Sequence, residues 1–214
     1  MTEIVFILDN SGSMSGLESD TIGGFNSMLK RQKEETNGDA LVSTILFNSS
    51  SKTLHDRIPL DKVEPLTEED YQAGGMTALL DAVGETVTKI KTIHEYGREE
   101  DKPQKTLFVI TTDGEENSSH KFDYNDVKKL IEQQKELGWE FIFLGANIEA
   151  AEVAGHIGIS SERAVNYHAD AVGTRGVFDA ISKFSVALSL SDSVAKKDRS
   201  WREDLDEDYN SRKK

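Results

Sequence analysis

Ile4-Val5-Phe6-Ile7-Leu8 is apolar without interruption and ends abruptly in Asp9-Asn10-Ser11-Gly12-Ser13. A short β-branched and aromatic run bounded by turn formers reads as a strand buried on both faces, as in the middle of a parallel sheet. That reading constrains the fold strongly, because a doubly buried strand needs a layer of helices on either side. At the carboxyl end of the strand, one carboxylate and two hydroxyls stand at alternate positions around a tight turn. They are hard oxygen donors, suited to a small divalent cation.

The rest of the chain supplies the expected partners in alternation. Leu17, Ile22, Phe25, Met28 and Leu29 recur at helical spacing, with Asn37-Gly38 as the stop. Leu41 to Phe47 is a second strand. Lys52 to Ile58 alternates polar and apolar residues after a turn too short for a crossover, so it returns antiparallel as an edge strand. A loop then leads to Gly74-Gly75-Met76-Thr77, which opens a helix striped by Leu79, Val83, Val87, Ile90 and His94. Thr106 to Thr112 is another buried strand, and it too stops at a carboxylate, Asp113. Asp123 is placed to cap a helix carrying Val127 and Ile131. Trp139 to Leu144 is read as a strand, Asn147 as the cap of a short helix, and Ala164 to Tyr167 as a last strand. Val177, Ile181, Phe184 and Leu188 stripe the final long helix. The expected unit is residues 1–191, followed by a charged tail over 192–214. In the tail, Ser200-Trp201-Arg202-Glu203 fits a capping box, and Trp201, Leu205 and Tyr209 follow at helical spacing. A frayed end and a short docked helix both remain open there.

The fold class that follows is α/β: a doubly wound, mostly parallel six-stranded sheet with one antiparallel edge strand and helices on both faces. In the order 3-2-1-4-5-6, the first and fourth strands are neighbours, and ligands sit beyond their carboxyl ends. Asp9 and Asp113 therefore fall on opposite lips of one crevice, within reach of Thr77. Composition narrows the function. The chain has 214 residues and a formal net charge of -14, from 39 Asp+Glu against 25 Lys+Arg. Such a surface repels phosphate backbones. There is no cysteine, which excludes disulfides and thiolate chemistry and fits a reducing compartment. With no basic leader and no span-length apolar stretch, a soluble, cytoplasmic protein without membrane or nucleic-acid partners is expected.

Asp9-Asn10-Ser11-Gly12-Ser13, Gly75-Met76-Thr77 and Thr112-Asp113-Gly114 resemble the three segments of the metal-ion-dependent adhesion site of von Willebrand factor type A (vWA) domains. The likeness runs over about residues 2 to 191 in order and spacing, with no departure at the five ligand positions. It implies a Rossmann-like fold and a Mg²⁺ (or Mn²⁺) site in which the Ser11, Ser13 and Thr77 hydroxyls approach the ion. Asp9 and Asp113 would bind it directly or through water. The implied function is metal-dependent binding of a partner protein that presents a Glu or Asp to the ion. The resemblance also suggests an accessory subunit of an ATPase complex, of the chelatase or stress-response type.

Simpler roles exist for each residue singly. Asp9 and Asp113 would also serve as helix caps, Ser11 and Ser13 as turn formers, Gly74-Gly75 as a flexible loop and Glu115-Glu116 as a solvated turn. None of these accounts for their convergence. The five histidines have no ligand spacing. The competing class is a Mg²⁺-dependent hydrolase or phosphotransferase. A phosphotransferase on such a sheet would need a second carboxylate two residues after Asp9, where Ser11 stands, and no phosphate loop or nucleophile elbow with a credible base occurs. A non-enzymatic binding module is therefore expected.

Overall fold

The computed structural model describes residues 1–36, 39–190 and 198–212. Its sheet has the order β3-β2-β1-β4-β5-β6, formed by β1 (Thr2–Asp9), β2 (Ala40–Phe47), β3 (Ser51–Pro59), β4 (Lys105–Thr112), β5 (Glu140–Ala146) and β6 (Ala164–Tyr167). Every pairing is parallel except that of β2 with β3. The expected fold class is thus the observed one. The helices are α1 (Glu18–Glu35), α2 (Leu79–Tyr96), α3 (Tyr124–Glu136), α4 (Ala150–His156), α5 (Ala171–Leu190) and α6 (Glu203–Ser211). The expected stop of α1 at Asn37-Gly38 lies outside the described residues.

The two-sided burial of β1 follows from its pleat. Ile4, Phe6 and Leu8 join one apolar cluster with residues of α1 and α5, while Val5 and Ile7 join a second with residues of α2, α3 and α4. In β4, Leu107 and Val109 face the first cluster, Phe108 and Ile110 the second. Continuous hydrophobicity is what a strand requires when both its faces are covered.

At the foot of the sheet, the side chain of Glu3 is fully buried. Its carboxylate accepts from Arg57 Nε at 2.7 Å, and His94 Nε2 lies 2.5 Å from its other oxygen. Arg57 sits on the irregular stretch of β3 with φ of +52°. These two contacts tie β1 to the hairpin and to α2 at the end away from the strand tips. His94 was expected only as the last member of the α2 stripe, and Glu3 carried no signal at all.

The tail forms a helix that docks. Trp201, in a 3-10 turn (Ser200–Arg202), and Leu205 of α6 are both buried. Trp201 meets Phe184 of α5 edge-on at 5.2 Å between ring centroids. The expected capping box is absent: Ser200 lies inside the 3-10 turn, and its hydroxyl donates to Asp198 Oδ1 at 2.7 Å. Arg202 reaches the carbonyls of Ser161 and Ala164 beside β6, and Arg212 pairs with Asp170 and Asp208. A short edge strand is covered in this way, which protects its open side.

Candidate metal-binding site

Where β1 ends, the chain turns through a 3-10 segment (Gly12–Met14) that brings its hydroxyls back toward the strand tip. Asp9 is 1 % exposed. Its Oδ1 accepts the Ser11 amide at 2.7 Å, and its Oδ2 accepts the Thr112 hydroxyl of the adjacent strand at 2.6 Å. Ser11 Oγ lies 3.0 Å from Ser13 Oγ, and Ser13 Oγ donates to Asp113 Oδ1 at 2.5 Å. Four of the five residues named from the sequence are therefore linked in one chain of contacts across the β1–β4 boundary. Thr77 closes the group. A methyl placed on Gly114 would lie 3.4 Å from Ser13 Oγ and 3.6 Å from Thr77 Oγ1. Gly114 thus lies against both hydroxyls, which places Thr77 beside Ser13 at the same crevice.

Thr77 is held by a pinned segment. Gly12 N donates to Gly75 O at 3.0 Å, Gly74 N to Asn10 O at 2.9 Å, and Ala78 N to Asn48 O at 2.8 Å. The Met76 amide donates to Ser49 Oγ at 2.8 Å. Gly75 has φ of +81°, a conformation that glycine adopts without strain. Asn117 brackets Thr77: its Oδ1 accepts the Thr77 amide at 2.9 Å, and its own amide donates to Thr77 O at 3.0 Å. Beside it, Glu116 is no solvated turn. Its carboxylate accepts from Leu80 N at the start of α2 and from the amides of Ser118 and Ser119. The Tyr71 hydroxyl donates to Asp9 O from below. Thr112, Asn117, Glu116 and Tyr71 were missed from the sequence. Only Thr112, next to Asp113, had a position to suggest a role.

Two carboxylates share this small volume. Burial pushes the carboxyl of Asp9 above its ordinary range, against the opposing bonds from Ser11 and Thr112. Asp113, 2 % exposed, is also raised, by burial first and then by the charge of Asp9. Among the described residues neither forms an ion pair with a basic side chain (the paired acids lie elsewhere). Uncompensated buried charge is costly, and a cation at this point would offset it. No group of three or more His, Asp or Glu with metal-holding geometry occurs among the described residues. The donor set instead comprises two carboxylates and three hydroxyls, which suits a hard ion that keeps part of its hydration. His120 is exposed, and its amide serves Asp81.

Asn147 does not cap α4 as expected. It has φ of +56°, and its Nδ2 donates to Asp113 O at 3.3 Å. The first amide of α4, that of Ala150, is satisfied by Asn166 Oδ1 at 2.8 Å. Asn147 thus steadies the backbone of Asp113.

The family model for the von Willebrand factor type A domain matches residues 3–174. The chain belongs to that family, whose domains are generally protein-interaction modules with a metal site. No curated protein matches the chain. Among solved structures, the PilB minor pilin from Streptococcus sanguinis is similar at a TM-score of 0.60 and 15 % identity, over 86 % of this chain and 61 % of that one. This chain therefore spans less than two thirds of that relative's length. The vWF domain of the type V pili tip protein Mfa5 from Porphyromonas gingivalis gives 0.60 and 9 % identity, over 91 % and 98 %. Proximal thread matrix protein 1 from the mussel byssus, solved with a zinc-occupied MIDAS motif, gives 0.52 and 15 %, over 86 % and 46 %. At such identities the likeness is one of fold. No helix among the described residues is long and apolar enough to cross a membrane.

Proposed function

We propose that this chain is a metal-dependent protein-binding module. In this reading Asp9, Ser11, Ser13, Thr77 and Asp113 hold Mg²⁺, or Mn²⁺ in its place, and a partner protein adds a Glu or Asp side chain. The observation that carries it is the pair of buried carboxylates, Asp9 and Asp113, linked through serine hydroxyls and lacking a basic partner. When bound, the ion supplies an electrophilic point that hydroxyl ligands leave largely uncompensated. The chain's own residues do the rest. Thr112 and the Ser11 amide orient Asp9, Asn117 holds Thr77, and Asn147 holds the backbone of Asp113. Ser11 Oγ bonds to another hydroxyl and not to a base, which favours binding over nucleophilic catalysis.

In this reading the partner is a protein, not nucleic acid or membrane, within an intracellular complex, and an accessory role beside an ATPase is the alternative form. Pull-down with Mg²⁺ against chelator, followed by nucleotide hydrolysis by the captured material, tests that form. The site itself is tested by heat. A ligand at 100 times its Kd stabilises the fold by about 2.7 kcal/mol. For a domain of this size, that corresponds to a rise in Tm of roughly 5–10 °C. Saturating Mg²⁺ should produce such a rise in the native chain and none in Asp9→Asn or Thr77→Val. A native protein indifferent to Mg²⁺ and Mn²⁺ would end the proposal.

A further inference from the structure

The contact between α5 and the tail leaves a cavity of about 260 Å³. Val172, Gly176 and Ala180, each about one helical turn from the next, form its α5 wall, and Trp201 and Leu205 form the other. Val172 is 58 % exposed at one end of this apolar row. Trp201 and Leu205 lie beyond residues 3–174, the stretch that the family model matches. None of the five residues assigned to the metal site lines the cavity.

Two polar groups of the cleft stand unanswered. Trp201 is 3 % exposed, and its indole Nε1–H is buried with no acceptor among the described residues. A buried donor left unmet costs stability, and few persist in native folds without a reason. Arg175 is exposed and has no ion-pair partner among the described residues. Three aspartates also line the cleft, but each is already paired: Asp179 with Arg31 at 3.1 Å, Asp204 with Lys183, and Asp208 with Arg212. What the cleft leaves open is one cation and one N–H donor beside apolar walls.

We infer that this cleft binds a small monocarboxylic acid with a compact apolar body, of the arylacetic or branched-chain class. The carboxylate supplies acceptors to Arg175 and to the Trp201 indole, and the body covers Val172, Ala180 and Leu205. An amine or a neutral hydrocarbon would leave Arg175 unanswered. Size limits the occupant. At about 260 Å³ the cavity falls just under the usual range for ligand pockets, about 300–1,000 Å³, so it holds a ring or a branched chain and little more. The walls decide against a peptide. Both are helical, so their backbone N–H and C=O groups are used within the helices. The peptide groups of an incoming chain would find no main-chain partners there, unlike those of a strand added to a sheet edge.

The test uses the whole chain labelled with ¹⁵N, whose two tryptophans give two indole signals, assigned with Trp139→Phe. Phenylacetate and 3-methylbutanoate are titrated against phenylacetamide, which has the same body as phenylacetate without its charge. Chelator is present throughout, so that no metal-bound carboxylate contributes. The expected result is a saturable shift of the Trp201 indole signal with both acids, at a Kd on the order of 1 mM, while the Trp139 signal stays in place. Phenylacetamide should bind about tenfold more weakly, for want of a charge-assisted bond. Arg175→Gln should weaken the acids by a similar factor and leave the Tm of the free chain unchanged. Lys129→Gln, which removes the same charge from α3, should leave acid binding as it was. No saturable shift up to about 20 mM acid, equal binding of acid and amide, or acid binding that survives Arg175→Gln overturns the inference. Equal movement of both indole signals marks nonspecific partition and overturns it likewise. If the peptide acetyl-Gly-Ser-Leu, with a free carboxylate, binds where the small acids do not, the cleft takes a chain terminus and the inference falls.

Discussion

Three backbone amides, those of His120, Lys121 and Phe122, converge on the carboxylate of Asp81 in the first turn of α2. Burial raises the pKa of that carboxyl, and the three amides together outweigh the effect, so it titrates below the ordinary range. Folding therefore favours the ionised form. Its contribution is complete above about pH 4 and is lost as pH falls through the depressed value. Asp81→Asn should lower stability at pH 7 by about 1–2 kcal/mol, and urea curves of variant and native chain should converge as pH drops below about 4. An undiminished gap in acid would refute this sign. Asn117 works at the same scale. Removing its side chain as Asn117→Ala leaves the Thr77 amide unpaired and should weaken Mg²⁺ roughly tenfold in calorimetric titration, the usual consequence of losing a group that orients a ligand. Neither residue is legible in the sequence. An aspartate in a first turn looks like a response to the helix dipole, and an asparagine in a polar loop looks like any other.

Among the elements, α6 settles an open alternative and the segment after β4 departs from its reading. The tail helix docks through Trp201 and Leu205, and a methyl added at Gly176 of α5 would meet Leu205 Cδ1 at 2.9 Å. Trp201→Ala should cost about 3 kcal/mol, as removal of a buried aromatic usually does. The rise in Tm on adding Mg²⁺ should be the same in that variant as in the native chain, because the site sits on other elements. A lost Mg²⁺ response would make α6 part of the site. The segment from Glu115 to Phe122 reads as loop, yet Glu116 and Asp81 clasp it to α2 reciprocally. Phe122 packs so closely over Gly84 that a methyl there would stand 2.5 Å from its ring. The core helices and strands were legible because their periodicities record burial. The segment after β4 was not, because hydrogen bonds between distant loops leave no period, whereas α6 was legible in part through the spacing of Trp201 and Leu205.

For the whole molecule, 39 acidic against 25 basic residues gather net repulsion on a single folded body. Screening shortens the reach of that repulsion to about 8 Å at physiological salt. Adding NaCl from low ionic strength should therefore raise the Tm of the metal-free chain by a few degrees, roughly 1 kcal/mol. A fall would mean that the scattered surface ion pairs outweigh the net charge, contrary to their small individual worth.

The sequence by itself determined the alternation of elements, the strand order and the gathering of Asp9 and Asp113 at adjacent strand tips. Apolar runs and stripes can satisfy their burial in few ways, and right-handed parallel crossovers leave only a few common windings. Only the tertiary structure decided what braces those tips: Asn117 against Thr77, Tyr71 under Asp9, Asn147 behind Asp113, and Met76 presented outward. Each of these depends on which polar groups come within about 3 Å once separate loops have met. That is a distance between segments, and no local pattern encodes it.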